Sequence, residues 1–180
     1  MFIQEQDKEM QFGICLLSCI PLLKSPEFWG ELVSELLFGE HFEVLYRQDI
    51  FAKVRMAYDL YEGWIDLRQA VSINLGEFQG LNETEPAVSL DAVTLTRMND
   101  HQVIVLRGSS LPFYANGKCC VGGRKFVFSG KARKPDQRIT SDELTDVALS
   151  YLNSPYRWGG RTPFGIDCAG FVQIVYKAFG

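Results

Sequence analysis

A cysteine in the C-terminal stretch "GRTPFGIDCAGFVQIVYKAFG" has the surroundings of a nucleophile. Cys168 directly follows Asp167 and opens an apolar run that reaches Phe179. An aspartate before such a run is a typical helix N-cap, so we expect a helix from Cys168 to Phe179. The unpaired N–H groups and the dipole of a helix N-terminus favour the thiolate form of cysteine. Cys168 is therefore a candidate nucleophile.

The loop before this cysteine is suited to hold a substrate. Gly159 and Gly160 allow the backbone to approach a ligand closely, and Tyr156 and Trp158 could form the walls of a cleft. The Tyr156 hydroxyl could also donate a hydrogen bond to a developing oxyanion. The alternative interpretation is that Cys168 is a buried core residue at a helix start, since free cysteine packs as a small hydrophobe.

Two stretches of predicted strands precede this site. Within residues 10–70, segments such as "HFEVLY" and "FAKVRMAY" alternate apolar and polar residues, as in strands with one buried face. Residues 90–130 again indicate strands, and Asn-Asp at 99–100 and Asn-Gly at 116–117 are hairpin turn signals. We therefore expect two small β units.

In the last part of the chain the spacing of apolar residues changes from the alternation typical of strands to the spacing typical of helices. The segment "TSDELTDVALSYLNSP" indicates an amphipathic helix, with Thr140 and Glu143 at capping-box spacing. Its apolar stripe would consist of Leu144, Val147, Ala148, Tyr151 and Leu152. The helix that begins at Cys168 is apolar on nearly every side, with Gln173, Tyr176 and Lys177 as its polar face. A helix of that kind belongs in the middle of a domain.

Composition and charge exclude several classes of function. The chain of 180 residues has a formal net charge of −4 with interspersed signs, and it has no basic tract that would indicate nucleic-acid binding. No apolar stretch is long enough to span a membrane, and the residues before the apolar run at 12–23 are net acidic. We therefore expect a cytoplasmic protein, with a periplasmic or secreted location as the open alternative. The five cysteines and two histidines lack metal-site spacing, so we expect neither a metal nor a cofactor.

Two stretches of the sequence resemble known families. "PYRWGGRTPFGIDCAGFVQIVY" resembles the signature of the NlpC/P60 family of papain-like cysteine peptidases, and "ELLFGEHFEVL" with "KVRMAYDLYEGWIDLRQ" resembles a bacterial SH3 (SH3b) domain. The resemblance implies an α+β multidomain protein in which SH3b-like small β-barrels precede the helical N-terminal part of a papain-like domain. We expect an SH3b domain at 10–70, a connection at 71–89, a second SH3b-like β unit at 90–130, a linker at 131–139 and an incomplete NlpC/P60 domain at 140–180.

The resemblance also implies a substrate and roles for single residues. It implies an endopeptidase of cell-wall (murein) recycling that hydrolyses the γ-D-glutamyl–diamino acid bond of short peptides with a free N-terminal L-alanine. Cys168 matches the nucleophile, and Tyr156 matches the tyrosine beside the oxyanion site. The substrate-binding positions would be Asp167, Trp158, Tyr61 and, for the substrate amine, Glu31, with Glu35 or Glu62 as alternatives.

Two departures from the family pattern bear on activity. Ala169 stands where the family usually has serine, and one lost polar contact costs about 1 kcal/mol. The family's general base is a histidine after the nucleophile, whereas the two histidines here, His41 and His101, both precede Cys168. The chain should therefore be inactive alone and part of a longer peptidase, with a missing C-terminal segment or a partner chain covering the helix at 168–179.

Two other functions remain open at this point. A non-catalytic SH3b module would bind a cell-wall peptide or a protein partner, and a structural subunit would dock its exposed helix into another chain. The sequence leaves the identity of the diamino acid and the oligomeric state undetermined.

Overall fold

The N-terminal part of the protein is a seven-stranded antiparallel sheet, in a computed structural model that describes residues 10–135, 137 and 140–179. Its strands are β1 (Phe12–Cys15), β2 (Cys19–Leu23), β3 (Leu32–Leu37), β4 (His41–Gln48), β5 (Phe51–Met56), β6 (Glu62–Asp66) and β7 (Ala70–Ile73). Their spatial order is β3-β2-β6-β5-β4-β1-β7. Residues 5–9, which belong to the net acidic stretch before the apolar run, lie outside the described residues.

Alternation along β5 separates the core of this sheet from its outer face. Ala52, Val54 and Met56 are fully buried, whereas Lys53 and Arg55 between them are partly exposed. The buried face packs against residues such as Ile20, Leu22, Leu36 and Ile65. The predicted strands with one buried face are confirmed here, and the outer face is left free to carry polar side chains.

Residues 71–89, predicted as a connection, contain regular structure. Helix α1 (Leu75–Glu83) follows β7, and β8 (Ala87–Ser89) follows the helix. The helix begins with a capping box in which Asn74 accepts from the Glu77 N–H and the Glu77 side chain accepts from the Asn74 N–H. Leu81 is buried, and Phe78 stacks on Phe12 with ring centroids 4.2 Å apart. The helix was missed because its sequence is polar and its apolar face is narrow.

The second β unit contains two further sheets. Its strands are β9 (Val93–Met98), β10 (His101–Leu106), β11 (Ser110–Leu111), β12 (Lys118–Val121), β13 (Arg124–Val127) and β14 (Ala132–Arg133), in the orders β10-β9-β13-β12 and β11-β8-β14. The predicted turns are confirmed, because Asn99 joins β9 to β10 and Asn116-Gly117 precede β12, each with positive φ. Residues 136, 138 and 139 of the predicted linker lie outside the described residues.

The first sheet and the second β unit share a hydrophobic core. Ile14 and Phe38 from the first sheet are buried in one cluster with Val105, Val121 and Phe126 from the second unit. Phe38 and Phe126 meet edge to face with centroids 5.3 Å apart. Because this core is continuous, the second unit holds the first in a defined orientation.

The C-terminal part consists of helix α2 (Ser141–Leu149), the short strands β15 (Arg161–Thr162) and β16 (Gly165–Ile166), and helix α3 (Cys168–Phe179). The predicted capping box at the start of α2 is confirmed, since Thr140 accepts from the Glu143 N–H and Glu143 accepts from the Thr140 N–H. The predicted apolar stripe of α2 is wrong at its end, because Leu152 is 75% exposed. None of the helices in the described ranges is long and apolar enough to cross a membrane.

Helix α3 buries one side against the rest of the molecule. Ile174 packs with Leu37, Tyr151 and Ile166. Lys177, predicted on the polar face, is instead buried. Val172 is exposed on the opposite side, and the covering segment or partner chain predicted for this helix stays a prediction.

Candidate active site

A cleft of about 500 Å³ lies between the outer face of the first sheet and the start of α3. It is lined from the sheet by residues between Lys24 and Trp64, and from the C-terminal part by Trp158, Asp167, Cys168 and Ala169. Five of the six predicted site residues line it together, namely Glu31, Tyr61, Trp158, Asp167 and Cys168. Segments that are about a hundred residues apart in the chain thus form a single site.

The sixth predicted residue stands outside this lining. Tyr156 is 70% exposed and forms an isolated parallel bridge with Ile166. Tyr156 is two residues before Trp158 in the sequence, so it belongs to the loop that forms one wall of the cleft. Its role at an oxyanion stays a prediction.

Asp167 positions the cysteine by capping α3. Its Oδ1 accepts from the Gly170 N–H at 2.7 Å, and its backbone carbonyl accepts from the Phe171 N–H at 2.9 Å. Its Oδ2 accepts from the Gly159 N–H at 2.8 Å, which ties the preceding loop to the helix. Cys168 is consequently the first residue of the helix, and it is solvent-exposed, so the alternative of a buried core cysteine is wrong.

Trp158 and Glu31 connect the two walls of the cleft. The Trp158 indole N–H donates to Glu31 Oε1 at 3.1 Å, and the Lys24 ammonium pairs with Glu31 Oε2 at 2.8 Å. The hydrogen bond and the charge of Lys24 lower the pKa of Glu31. Glu31 is therefore a carboxylate near neutral pH. Tyr61 lines the same cleft and is 45% exposed.

The two alternative carboxylates differ in their surroundings. Glu62 lines the cleft and pairs with Lys53 and Arg55, both at 2.8 Å. Glu35 is only 2% exposed, and its Oε2 accepts from the Arg161 N–H at 2.8 Å. Burial raises the pKa of Glu35. Glu35 thus has a structural contact beneath the loop, whereas Glu31 and Glu62 face the cleft.

Comparison with known proteins agrees with this arrangement. Residues 22–69 match the family described as bacterial dipeptidyl-peptidase Sh3 domain, and residues 153–180 match the NlpC/P60 family. Dipeptidyl-peptidase 6 of Lysinibacillus sphaericus is 49% identical over 180 aligned positions, which cover 88% of this chain and 66% of the relative. The chain belongs to the NlpC/P60 family. The resemblance noted in the sequence is confirmed.

Other known proteins are similar to this chain over part of their length. Gamma-D-glutamyl-L-lysine dipeptidyl-peptidase of Bacillus subtilis is 29% identical over 168 positions, which cover 82% of this chain and 53% of the relative. The chain thus spans between half and two thirds of the length of these two relatives. The fold resembles that of an NlpC/P60 family protein from Bacillus cereus, with a TM-score of 0.77, 16% identity and coverage of 93% of this chain and 72% of the other.

A buried cluster of charges joins the SH3 domain to the NlpC/P60 part. Glu40, in the turn between β3 and β4, contacts Arg161 Nη2 at 3.1 Å and Lys177 Nζ at 2.6 Å. The three side chains are between 1% and 3% exposed. Arg161 also donates to the Glu35 carbonyl at 2.6 Å. The cluster fixes both β15 and α3 on the SH3 domain, and thereby fixes Cys168 over the cleft.

The electrostatics of the cluster favour an ionised Glu40. Burial by itself would raise the pKa of this carboxyl, but the charges of Arg161 and Lys177 outweigh it and lower the pKa to about 2. For Lys177 burial outweighs the attraction of Glu40 and lowers the pKa. Sequence reasoning missed this cluster, because a glutamate after a turn glycine and a lysine near a helix end are ordinary surface residues in a sequence.

The two histidines of the NlpC/P60 chain lie away from the cleft. The His41 Nε2 atom is 2.8 Å from Asn82 Oδ1, and burial lowers the pKa of its imidazole. His101 is exposed at the start of β10. Neither imidazole lines the cleft with Cys168.

No group of three or more metal-ligating side chains occurs within the residues that the structure describes.

Thiol alkylation tests the position of the cysteine in this NlpC/P60 site. We expect iodoacetamide near neutral pH to modify Cys168 first, because backbone N–H groups of a helix start stabilise negative charge on sulfur. Cys120 is also exposed and serves as the control within the chain. Burial raises the pKa of Cys119 to about 12 and places that of Cys15 well above its usual value, so both should stay unmodified. Peptide mass spectrometry over time measures the order, and equal rates at Cys168 and Cys120 would contradict activation by the helix.

Proposed function

We propose that this chain is the substrate-binding and nucleophile-bearing part of a cysteine peptidase of cell-wall peptides. The peptidase would hydrolyse the γ-D-glutamyl–diamino acid bond of short peptides with a free N-terminal L-alanine. The observation that carries the proposal is the cleft in which Cys168 faces Tyr61 and Glu31 of the SH3 domain. The name of the Bacillus subtilis relative, a gamma-D-glutamyl-L-lysine dipeptidyl-peptidase, supports this choice of substrate.

The distance between Glu31 at one end of the cleft and Cys168 at the other would determine which peptide bond is cleaved. A peptide whose amine binds the Glu31 carboxylate, beside Tyr61, extends toward Cys168 and presents a carbonyl there. Because the amine is held at one fixed place, only a carbonyl at a set number of bonds from it reaches the sulfur. A clamp on the amine therefore explains why such an enzyme would release a dipeptide rather than cut at random.

The chemistry follows from the position of the sulfur. The Cys168 thiolate would attack the carbonyl carbon, forming a carbon–sulfur bond and an oxyanion. First-turn N–H groups of α3 and the Tyr156 hydroxyl would stabilise that oxyanion. The carbon–nitrogen bond then breaks, the leaving amine takes up a proton, and water later hydrolyses the thioester. Proton transfer requires a general acid–base, and neither His41 nor His101 lines the cleft, so we propose that the chain alone binds the peptide without cleaving it.

Calorimetric titration of the 180-residue chain with L-Ala-γ-D-Glu-L-Lys tests the proposal. We expect binding, and at least about tenfold weaker binding of the N-acetylated peptide, because acetylation removes the charge that pairs with Glu31. The variant Glu31→Gln should bind both peptides equally, and Glu62→Gln is the matched control at the other cleft carboxylate. Equal binding of the free and acetylated peptides by the native chain would contradict the amine clamp.

The alternative function is a non-catalytic SH3b module that binds cell-wall peptide. The observation that favours it is the position of both histidines outside the cleft. Mass spectrometry of the same titration mixtures separates the possibilities for this chain. Release of free lysine that is abolished by Cys168→Ala would contradict the proposed inactivity, while binding without release agrees with it.

A further inference from the structure

Two ammonium groups line the cleft in addition to its carboxylates. Lys24 follows β2, and Lys53 lies on the outer face of β5 directly opposite Trp64 of β6. Each lysine pairs with a glutamate of the cleft, Lys24 with Glu31 and Lys53 with Glu62, at 2.8 Å in both cases. The SH3 side of the cleft therefore presents charges of both signs to a ligand.

The two ion pairs differ in how easily each can exchange its partner. The Glu62 Oε1 atom also accepts from Arg55 Nη2 at 2.8 Å and from Arg55 Nε at 3.1 Å. Glu62 would therefore remain paired if Lys53 turned toward a ligand. The two oxygens of Glu31 are instead divided between Lys24 and Trp158. Release of Lys53 from its pair leaves Glu62 paired with Arg55, whereas release of Lys24 would leave Glu31 with the neutral Trp158 indole as its partner.

Lys53 is also both accessible and restrained at the edge of the cleft. Its side chain is 41% exposed, so it is accessible to solvent while one salt bridge restrains it. Trp64 is its cross-strand partner on β6, so the two side chains lie on the same face of the sheet. An ammonium that is exposed, restrained and exchangeable is suited to bind a carboxylate of a ligand.

We infer that Lys53 binds a free carboxylate of the peptide, namely the α-carboxylate of the γ-linked glutamate. This inference rests on the proposed function. A γ-glutamyl bond uses the side-chain carboxyl of glutamate, so the α-carboxyl of the same residue stays free and negatively charged. In the bound peptide the positive amine would pair with Glu31 and the negative α-carboxylate would pair with Lys53. Lys53 would then determine specificity for peptides with a free α-carboxylate.

The test compares two peptides that differ at one group. L-Ala-γ-D-Glu-L-Lys carries the α-carboxylate, and L-Ala-D-isoglutaminyl-L-Lys carries a neutral carboxamide in its place. We expect calorimetry to show about fivefold tighter binding of the carboxylate peptide by the native chain, the range of a partly screened ion pair. Lys53→Met should abolish this preference, and Lys53→Arg should retain it. Lys125→Met, at an exposed lysine of β13, should leave it unchanged.

The outcomes separate the inference from the proposed function. If the native chain binds both peptides equally, or if Lys53→Met keeps the preference, the inference fails and the proposed function stands. If neither peptide binds the native chain, the proposed function fails and the inference fails with it. Circular dichroism confirms that each variant is folded, and Lys53→Arg provides the result for a side chain of the same charge.

Discussion

Glu40→Leu should lower the free energy of unfolding by about 3–5 kcal/mol, the cost of removing one member of a buried ion pair. Glu40 is the carboxylate that both Arg161 and Lys177 contact, and all three side chains are almost completely buried. Its removal leaves two cations in the interface between the SH3 domain and the NlpC/P60 part without their counter-ion. Urea denaturation followed by circular dichroism measures the change in the free energy of unfolding.

The pH dependence of stability provides a second measure of the same residue. The pKa of Glu40 falls from 4.5 to about 2 on folding, so its ionised form stabilises the folded state above pH 4.5. This contribution is lost as the pH falls from 4.5 through about 2. At about 1.4 kcal/mol for each pKa unit, the loss amounts to roughly 3 kcal/mol. Glu40→Leu should lack this part of the acid destabilisation.

An exposed ion pair provides the control. Glu43 lies 3.8 Å from Arg55, and its side chain is 46% exposed. Glu43→Gln should change the free energy of unfolding by less than about 1 kcal/mol. If Glu40→Leu costs no more than Glu43→Gln, the buried cluster does not hold the two parts together. A Glu40→Leu variant that loses less stability than the native chain between pH 7 and pH 3 agrees with the expected result.

Gly170→Ala should disrupt the site itself, with about 1–3 kcal/mol lost from the free energy of unfolding, as for other overpacked positions. A Cβ atom at residue 170 would lie 2.2 Å from the Gly160 carbonyl oxygen and 3.2 Å from Arg161 Cγ. The first contact is with backbone, so either the loop that carries Trp158 or the start of α3 must move. Because both form walls of the cleft, we expect peptide affinity to fall by at least about tenfold. Calorimetry and urea denaturation measure the two effects.

Gly76→Ala is the matched substitution in a helix outside the site. The nearest atom to its added Cβ would be the side-chain atom Asn74 Oδ1, at 3.2 Å, with no backbone atom in the way. We expect the free energy of unfolding to change by less than about 1 kcal/mol, because the helix preference of alanine offsets this single tight contact. Peptide affinity that is equally unchanged in both variants would show that the contact between α3 and the loop does not shape the cleft.

Local signals in the sequence predicted several caps, turns and helix starts correctly. The capping position of Asp167 and the capping box at Thr140 depend on residues three positions apart, so sequence spacing reveals them. The turn at Asn99 follows from the tolerance of asparagine for positive φ. The start of α3 at Cys168 was predictable for the same reason, since a cap and an apolar run are both local features.

Only the tertiary structure decided how these parts meet. The cluster of Glu40, Arg161 and Lys177 joins residues separated by 121 and 137 positions, and no local pattern marks them as partners. The same holds for the contact of Trp158 with Glu31, which are 127 positions apart. Capping and turn formation depend on interactions between residues that are close in the sequence, so they can be predicted from the sequence. Charged residues that are far apart in the sequence pair only if the folded core brings their surfaces into contact. Those contacts are determined only when the whole chain has folded.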